Sequence, residues 1–351
     1  MIIAIHPDDY TAPGRPLKSD SASSRWAQWI EAAGHQVRWV NVRRADILDQ
    51  LRGCDGFMWR WAHFDGMARI ARRLLPVVEK ELKLPVYPDQ NTCWHYDDKI
   101  AQAYLFEAAG ISSPKTWVWF DRREALAWVE KAPFPLVMKL ATGAASSNVA
   151  LVKSREEAQE WIHRLFRGFH TAFGSDEPRW RQLARAAKDI FAGKGMSGLR
   201  DRGFEPQAGY IYFQEFLAGN DFDTRVTIIG NRAFAYRRFN REGDFRASGS
   251  GIIDFNSEVI QEDFIRLAFK VAGKLGMQSC AVDGFYRDRT PVIGEVSYTF
   301  VSSFIHDCPG HWRLSGTPEN GELQWVPGQM WPEEAQVHDF LQCVHPEAGG
   351  S

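Results

Sequence analysis

Short apolar runs alternate with amphipathic stretches along the first ninety residues. Residues 2–5, 37–42 and 56–59 read as strands and 85–87 as a shorter one, while 23–33 and 67–82 carry apolar residues at helical spacing. Strands alternating with helices predict βαβ units and a parallel sheet. Many α/β folds share that pattern, so it narrows the fold class and leaves the function open.

A second block begins with a helix over 99–109 that stops at Gly110, followed by a strand at 116–120 and a helix at 124–131. The apolar run 134–140 then enters a loop of small residues, 141–148, and leaves it through a strand at 149–152. The order is strand, loop, strand. Both common phosphate-binding glycine motifs need a helix after the glycines, and neither G-x-x-x-x-G-K-[ST] nor G-x-G-x-x-G occurs. An amphipathic helix at 154–166 precedes a polar, basic segment, 167–206, that reads as an insertion with a solvated face. The last block is richer in strands, at 210–216, 225–229, 233–239, 280–286 and 291–297, with a helix over 257–275.

A length of 351 residues with 44% apolar composition allows two or three packed lobes. A formal net charge of −2 gives no bulk electrostatic reason to bind nucleic acid. No apolar run reaches the roughly 18 residues that a membrane span needs, and the N-terminus lacks a basic leader, so neither membrane nor secretion is expected. Five scattered cysteines without a CxxC pair suit reduced thiols and a cytoplasmic setting. Fourteen tryptophans are unusual; most should be core, and several beside charged residues could offer flat surfaces to a ligand.

Four features stand in an order that suits nucleotide chemistry. Lys139 ends the strand FPLVMKL just before the small-residue loop, where an ammonium can reach phosphate while loop N–H groups take other oxygens. Alone, it reads equally well as a surface lysine. Asp283 and Glu295 each sit among apolar residues on neighbouring strands of AVDGFYRDRTPVIGEVSYTF. Carboxylates in such a setting need a metal ion or a buried arginine. Asp221, Asp223 and Arg225 lie in QEFLAGNDFDTRVTIIG, where an acid could take ribose hydroxyls and the guanidinium phosphate oxygens. Arg237, Arg238, Arg241 and Arg246 cluster around a turn, which reads either as phosphoryl-transfer machinery or as an exposed charged hairpin.

Taken together, residues 89–300 resemble the ATP-grasp superfamily, especially the RimK-type ligases and the glutathione synthetases. The resemblance rests on an ordered set: DDK at 97–99, FPLVMKL with its loop, QEFL followed by DTR, the segment RRFNREGDFR, and VDGF followed by GEVS. It implies an α/β (α+β) architecture, an ATP-grasp domain over 89–305 behind a parallel-sheet domain over 1–88. That ATP-grasp domain would divide into 89–208, with the lysines and phosphate loop, and 209–305, with the adenine, arginine and metal segments.

Position by position, Lys99 and Lys139 would be the ATP-binding lysines, and the loop with Thr142, Gly143, Ser146 and Ser147 would cover the phosphates. Gln214, Glu215, Phe216 and Leu217 match the adenine-pairing stretch, and Asp223 would lie near the ribose. Arg225, Arg238 and Arg246 would face phosphates or an acyl phosphate, and Asp283, Glu295 and Ser297 would hold Mg2+, with Mn2+ as an alternative. Ser297 departs from the usual asparagine, which puts the coordination or the number of metal ions in question.

Arg60, in FMWRWAHF between Trp59 and Trp61, reads as a substrate residue in the first domain. The aromatic-rich extension 306–351 resembles no ATP-grasp element and reads as a capping loop; Cys308 and His311 have too few neighbours for zinc. The implied activity is an ATP- and Mg2+-dependent carboxylate–amine ligase that works through an acyl phosphate and forms an amide or peptide bond on a small-molecule, peptide or sugar-acid substrate, without nucleic acid or membrane. The aromatic-rich ends lean to a sugar acid. The residue reading leaves a kinase, a non-catalytic nucleotide-binding module and a homodimer open. No Ser-His-Asp or Cys-His set competes with this reading.

Overall fold

The computed structural model describes residues 1–8, 20–62, 66–143, 148–167, 207–247 and 249–345. The basic segment expected over 167–206 lies almost wholly outside them. Three sheets organise the described chain.

The first sheet contains β1 (Ile2–Ile5), β2 (Gln36–Trp39), β3 (Gly56–Met58) and β4 (Val86–Tyr87), all parallel in the order β2-β1-β3-β4. This is the parallel sheet that the alternation of strands and helices predicts. Helix Ala22–Ala32 starts at Ser21, whose side chain accepts from the Ser24 N–H at 3.2 Å, a favourable N-cap. Its buried Trp26 and Ile30 cover Ile3, Ile5 and Met58.

The second sheet is antiparallel: β5 (Thr116–Trp119), β6 (Leu136–Lys139), β7 (Val149–Val152) and β8 (Ile211–Glu215), in the order β5-β8-β6-β7. Helices Arg122–Val129 and Arg155–Arg167 share a core with it through Ala125, Val129, Ala158, Ile162 and Leu165.

The third sheet holds β9 (Phe222–Ile229), β10 (Arg232–Phe239), β11 (Ile253–Asp254), β12 (Ser279–Arg287), β13 (Thr290–Ser297), β14 (Gly310–Ser315) and β15 (Glu322–Pro327). Its main path runs β13-β12-β9-β10-β14-β15, with β11 on β10. Helix Glu262–Leu275 supplies Phe264, Ile265, Ala268 and Phe269 to a core with Val226, Val282, Ile293 and Val296. Side chains alternate along a strand, so the opposite face carries Asp223, Arg225, Arg238 and Asp283.

Two expectations need correction. The helix expected over 257–275 is a 3-10 turn, Ser257–Val259, followed by a separate α-helix, Glu262–Leu275. Ile260 and Gln261 between them are extended, with ψ of 122° and 132°. The tail after residue 306 is not a capping loop. It forms β14 and β15, and its helix Pro332–Val344 packs against the first sheet, where Val337 and Phe340 join the core of Trp26, Ile30 and Tyr87. Trp26 Nε1 donates to Gln336 Oε1 at 2.8 Å, and Arg232 pairs with Asp339 at 2.9 Å. At Gly56 an added Cβ would stand 2.8 Å from the Phe340 ring, so β3 carries no side chain where that ring lies.

Candidate active site

A cavity of about 620 Å³ opens between the second and third sheets, within the range of small-molecule sites. Its walls bring together Lys99, Lys139, Gly143, Gln214, Glu215, Phe216, Leu217, Asp223, Arg225, Arg238, Arg246, Asp283, Glu295, Ser297 and Arg60. Ser146 and Ser147 lie outside the described residues. Thr142 is described but does not line this cavity; its carbonyl accepts from the Asn148 amide.

The carboxylates meet because of a local irregularity. Asp283 on β12 stands opposite Glu295 on β13, whereas Gly284 stands opposite Ile293, so Gly294 is an extra residue in β13. Neither glycine leaves room for a side chain. A Cβ on Gly284 would lie 2.4 Å from the Val292 carbonyl, and one on Gly294 would lie 2.6 Å from the Phe285 ring. Ser297 follows two residues later opposite Ala281, and its hydroxyl donates to the Thr299 carbonyl at 2.9 Å.

Arg225 donates to both Asp283 oxygens, at 2.5 and 2.6 Å, and Arg238 reaches Asp283 at 2.8 Å. Arg238 also takes both Asp223 oxygens, at 2.7 and 2.6 Å. The four side chains thus alternate in sign along one buried line. Burial works to raise the Asp283 carboxyl, but the two guanidinium groups hold it well below the usual carboxylate range. Asp223 is raised instead, because burial outweighs its pairing with Arg238. The buried-arginine alternative for Asp283 is therefore realised in this structure. Arg246 is tied to Asp244 at 2.7 Å, and Arg237 to Asp254 at 2.5 Å.

The lysines come from different elements. Asp98 caps helix Lys99–Ala108 through the N–H groups of Ile100 and Ala101, which sets Lys99 at its first turn. Its ammonium donates to the Gly143 carbonyl at 3.1 Å and lies 3.8 Å from Glu295. Lys139 ends β6 partly buried, and desolvation lowers its ammonium to about 8; Glu295 and Asp283 oppose the shift and Lys99 adds to it.

Several site residues carried no sequence assignment. Asp97 Oδ1 accepts the Gly143 N–H at 2.8 Å, and Gly143 itself has φ 130° with the Asn148 amide 2.0 Å from where a Cβ would stand. Asp97 belongs to the DDK motif, so its signal was present. Phe285 likewise belongs to the VDGF motif without having been given a role, whereas Tyr96, Phe300 and Phe304 line the cavity without any motif to mark them.

The expected aromatic frame around Arg60 is absent. Trp59 and Trp61 are fully buried core residues, and His63 is outside the described residues. Arg60 instead donates to the Phe300 carbonyl at 2.5 Å. Cys308 donates to the Ala235 and Phe304 carbonyls and His311 packs on Phe234; among the described residues no group of three or more His, Cys, Asp or Glu is placed to hold a metal ion.

These sheets and this cavity give the chain the ATP-grasp fold. It aligns with the ATP-grasp ligase PsnB, complexed with a phosphomimetic variant of its minimal precursor, Mg and ADP, at a TM-score of 0.53 and 14% identity over 86% of this chain and 92% of that one. D-cycloserine synthetase DcsG aligns at 0.57 with 13% identity, over 98% of this chain and 100% of that one. D-alanine–D-alanine ligase from Bacillus anthracis, complexed with ATP, aligns at 0.52 with 14% identity over 85% and 86%.

In sequence, the α-aminoadipate–LysW ligase LysX of Saccharolobus solfataricus is 23% identical over 220 residues, 62% of this chain and 67% of that protein. No protein-family model matches the chain. Among the described residues no helix is long and apolar enough to cross a membrane.

Proposed function

We propose that the protein joins a carboxylic acid to an amine in an ATP- and magnesium-dependent reaction that passes through an acyl phosphate. The reading rests on the pairing of Asp283 with Glu295 across β12 and β13, in one cavity with Lys99 and Lys139. The named relatives are ligases or synthetases, which supports the same class of reaction.

The donor set fits a hard divalent ion: two adjacent carboxylates, with a hydroxyl nearby and room for water and phosphate oxygens. Asp283, Glu295 and Ser297 would hold Mg2+, or Mn2+ in its place, and the bound ion would offset charge on the phosphate oxygens. Asp283 would then have to give up at least one of its contacts to Arg225 and Arg238. Those guanidinium groups, with Arg246, would turn to the oxygens of the transferring phosphoryl group.

Lys99 and Lys139 would hold the ATP phosphates, with the backbone at Gly143. The stretch Gln214, Glu215, Phe216 and Leu217 would take adenine, and Asp223 the ribose. The γ-phosphoryl group passes from ATP to a carboxylate oxygen, leaving ADP. The amine nitrogen then attacks the acyl carbon, the bond to the phosphate oxygen breaks with its electron pair, and the nitrogen loses a proton. Small-molecule substrates fit the size of the cavity.

ADP release, measured over a panel of carboxylic acids with hydroxylamine as the amine, tests this reading. A ligase forms the hydroxamate of its acid and depends on the amine for steady turnover. A kinase releases ADP without needing it, and a non-catalytic module releases none. Glu295→Gln should lower hydroxamate formation by about two to four orders of magnitude while keeping nucleotide affinity. Near-normal turnover of that variant would remove Glu295 from the metal site.

A further inference from the structure

Beside the main cavity lies a second, water-sized one, of about 10 Å³, between the first sheet and the C-terminal helix. Arg60 and Phe300 line both cavities and so form the partition between them. Across the small cavity stands Glu333, from the first turn of helix Pro332–Val344, with 1% of its surface exposed. Ser302 donates to its Oε1 at 2.5 Å, while Oε2 is buried and has no hydrogen-bond partner among the described residues. Gln336 turns its Oε1 toward Trp26, which leaves the Gln336 side chain lining the same space.

A buried carboxylate oxygen without a partner costs stability comparable to a lost charged hydrogen bond, so such a group calls for an explanation. Burial pushes the Glu333 carboxyl up, and the Ser302 hydroxyl, Arg25 and Arg60 work to keep it ionised. Arg60 alone would not explain the geometry. Its guanidinium points a donor at the Phe300 carbonyl, and it stands on the main-cavity side as well. A cationic group of about the size of a water molecule would fill the small cavity and satisfy Glu333. An ammonium is such a group. It can stay beside the Arg60 guanidinium only if a negative charge travels with it.

We propose that Arg60 and Glu333 form a two-charge subsite for the acid substrate of the ligase, and that this substrate is an amino acid. The subsite rests on the ligase reading given above. The carboxylate faces Arg60 and the nucleotide side, where it is phosphorylated; the ammonium on the adjacent carbon enters the small cavity and donates to Glu333 Oε2. The remainder of the molecule lies in the main cavity past Phe300. Glu333 thereby sets specificity, and the C-terminal helix that carries it is part of the substrate site.

The experiment uses the full chain with ATP, Mg2+ and hydroxylamine, and reads hydroxamate formation. Three acid series are compared: free amino acids, their N-acetyl derivatives and the corresponding acids without the amino group. The wild-type protein should act on at least one free amino acid and lose about tenfold or more in kcat/KM when the amino group is acetylated or absent. Glu333→Gln should abolish that discrimination, mainly through KM for the acid, with little change in KM for ATP. Affinity for a non-hydrolysable ATP analogue reports whether the variant is folded, and Glu333→Asp, which keeps the charge, should recover part of the preference.

Hydroxamate formed equally well from all three series overturns the subsite and leaves the ligase reading standing. The same holds if folded Glu333→Gln keeps the wild-type preference. Hydroxamate from no acid, with ATP still bound, overturns the ligase reading and this subsite with it.

Discussion

Arg225 grips both carboxylate oxygens of Asp283, and the two residues stand directly opposite each other on β9 and β12. Arg238 adds a third contact from β10 and is itself held by Asp223. Every member of the set is mostly buried, so each charge relies on its neighbours rather than on water.

Removing the Asp283 charge should therefore be felt in stability as well as in turnover. Asp283→Asn is expected to cost about 3–5 kcal/mol, because two buried guanidinium groups lose a shared counter-charge. The Asp283 carboxyl is lower in the folded protein than in the unfolded chain, so its stabilisation is present above about pH 4 and fades as the pH falls below that. Denaturant titrations from pH 7 down to 3 should show the wild type losing more stability than Asp283→Asn over the acid part of the range. Parallel losses would mean that the ion pair contributes nothing.

Lys139 leads to a second expectation. Its ammonium is lowered to about 8 by desolvation, so part of the population is neutral at pH 8. Phosphate oxygens beside it favour the charged form, and nucleotide binding at pH 8 should take up a fraction of a proton. Calorimetry in two buffers of different ionisation heat measures that number directly. Uptake should shrink at pH 6.5, where the lysine is already protonated, and disappear in Lys139→Met. Uptake that survives in Lys139→Met would have to come from another group.

Ser297 and Glu295 occupy the same strand, two residues apart and on the same face. If the serine takes the place of an amide ligand, Ser297→Asn should keep activity within about tenfold and change the relative rates with Mg2+ and Mn2+. Complete loss of hydroxamate formation, with nucleotide binding intact, would instead assign the small volume of Ser297 to the substrate.

The bulge that brings the carboxylates together is equally testable. Gly294→Ala places a methyl group 2.6 Å from the Phe285 ring, and overpacking of this kind costs about 1–3 kcal/mol. Turnover should fall further than stability, because Glu295 is the next residue. A variant with normal kcat and reduced Tm would show that the bulge matters only for packing.

Much of this site could be read from the chain before the fold was known. Lys99, Lys139, Glu295 and the arginines lie in motifs whose order alone suggests one cavity. Asp223 falls outside the strand expected at 225–229, whereas β9 begins at Phe222 and puts it on the same face as Arg225. What stayed hidden depends on register. Nothing in the local sequence tells that Asp283 meets Arg225 rather than a solvent-facing neighbour, because that requires β12 to pair with β9 at one particular offset. The tryptophans misled for a related reason: an aromatic next to a charge looks like a ligand surface, yet Trp59 and Trp61, just past the end of β3 (Gly56–Met58), are buried in the core on either side of Arg60. The tail was unreadable because its partners, β10 and the helix Ala22–Ala32, are remote in sequence.

That remoteness also orders events in time. Trp26 and Gln336 are 310 positions apart, and Phe340 sits in the place a side chain on Gly56 would need. During synthesis the first sheet emerges early, but the apolar surface made by Ile3, Ile5 and Tyr87 has to wait for Val337 and Phe340 before it is covered. Closing so long a separation slows folding and leaves that surface sticky in the meantime. Cutting the chain before Pro332 should therefore damage its beginning: a nascent N-terminal sheet without its last helix would be a target for chaperones and proteases rather than a folded unit.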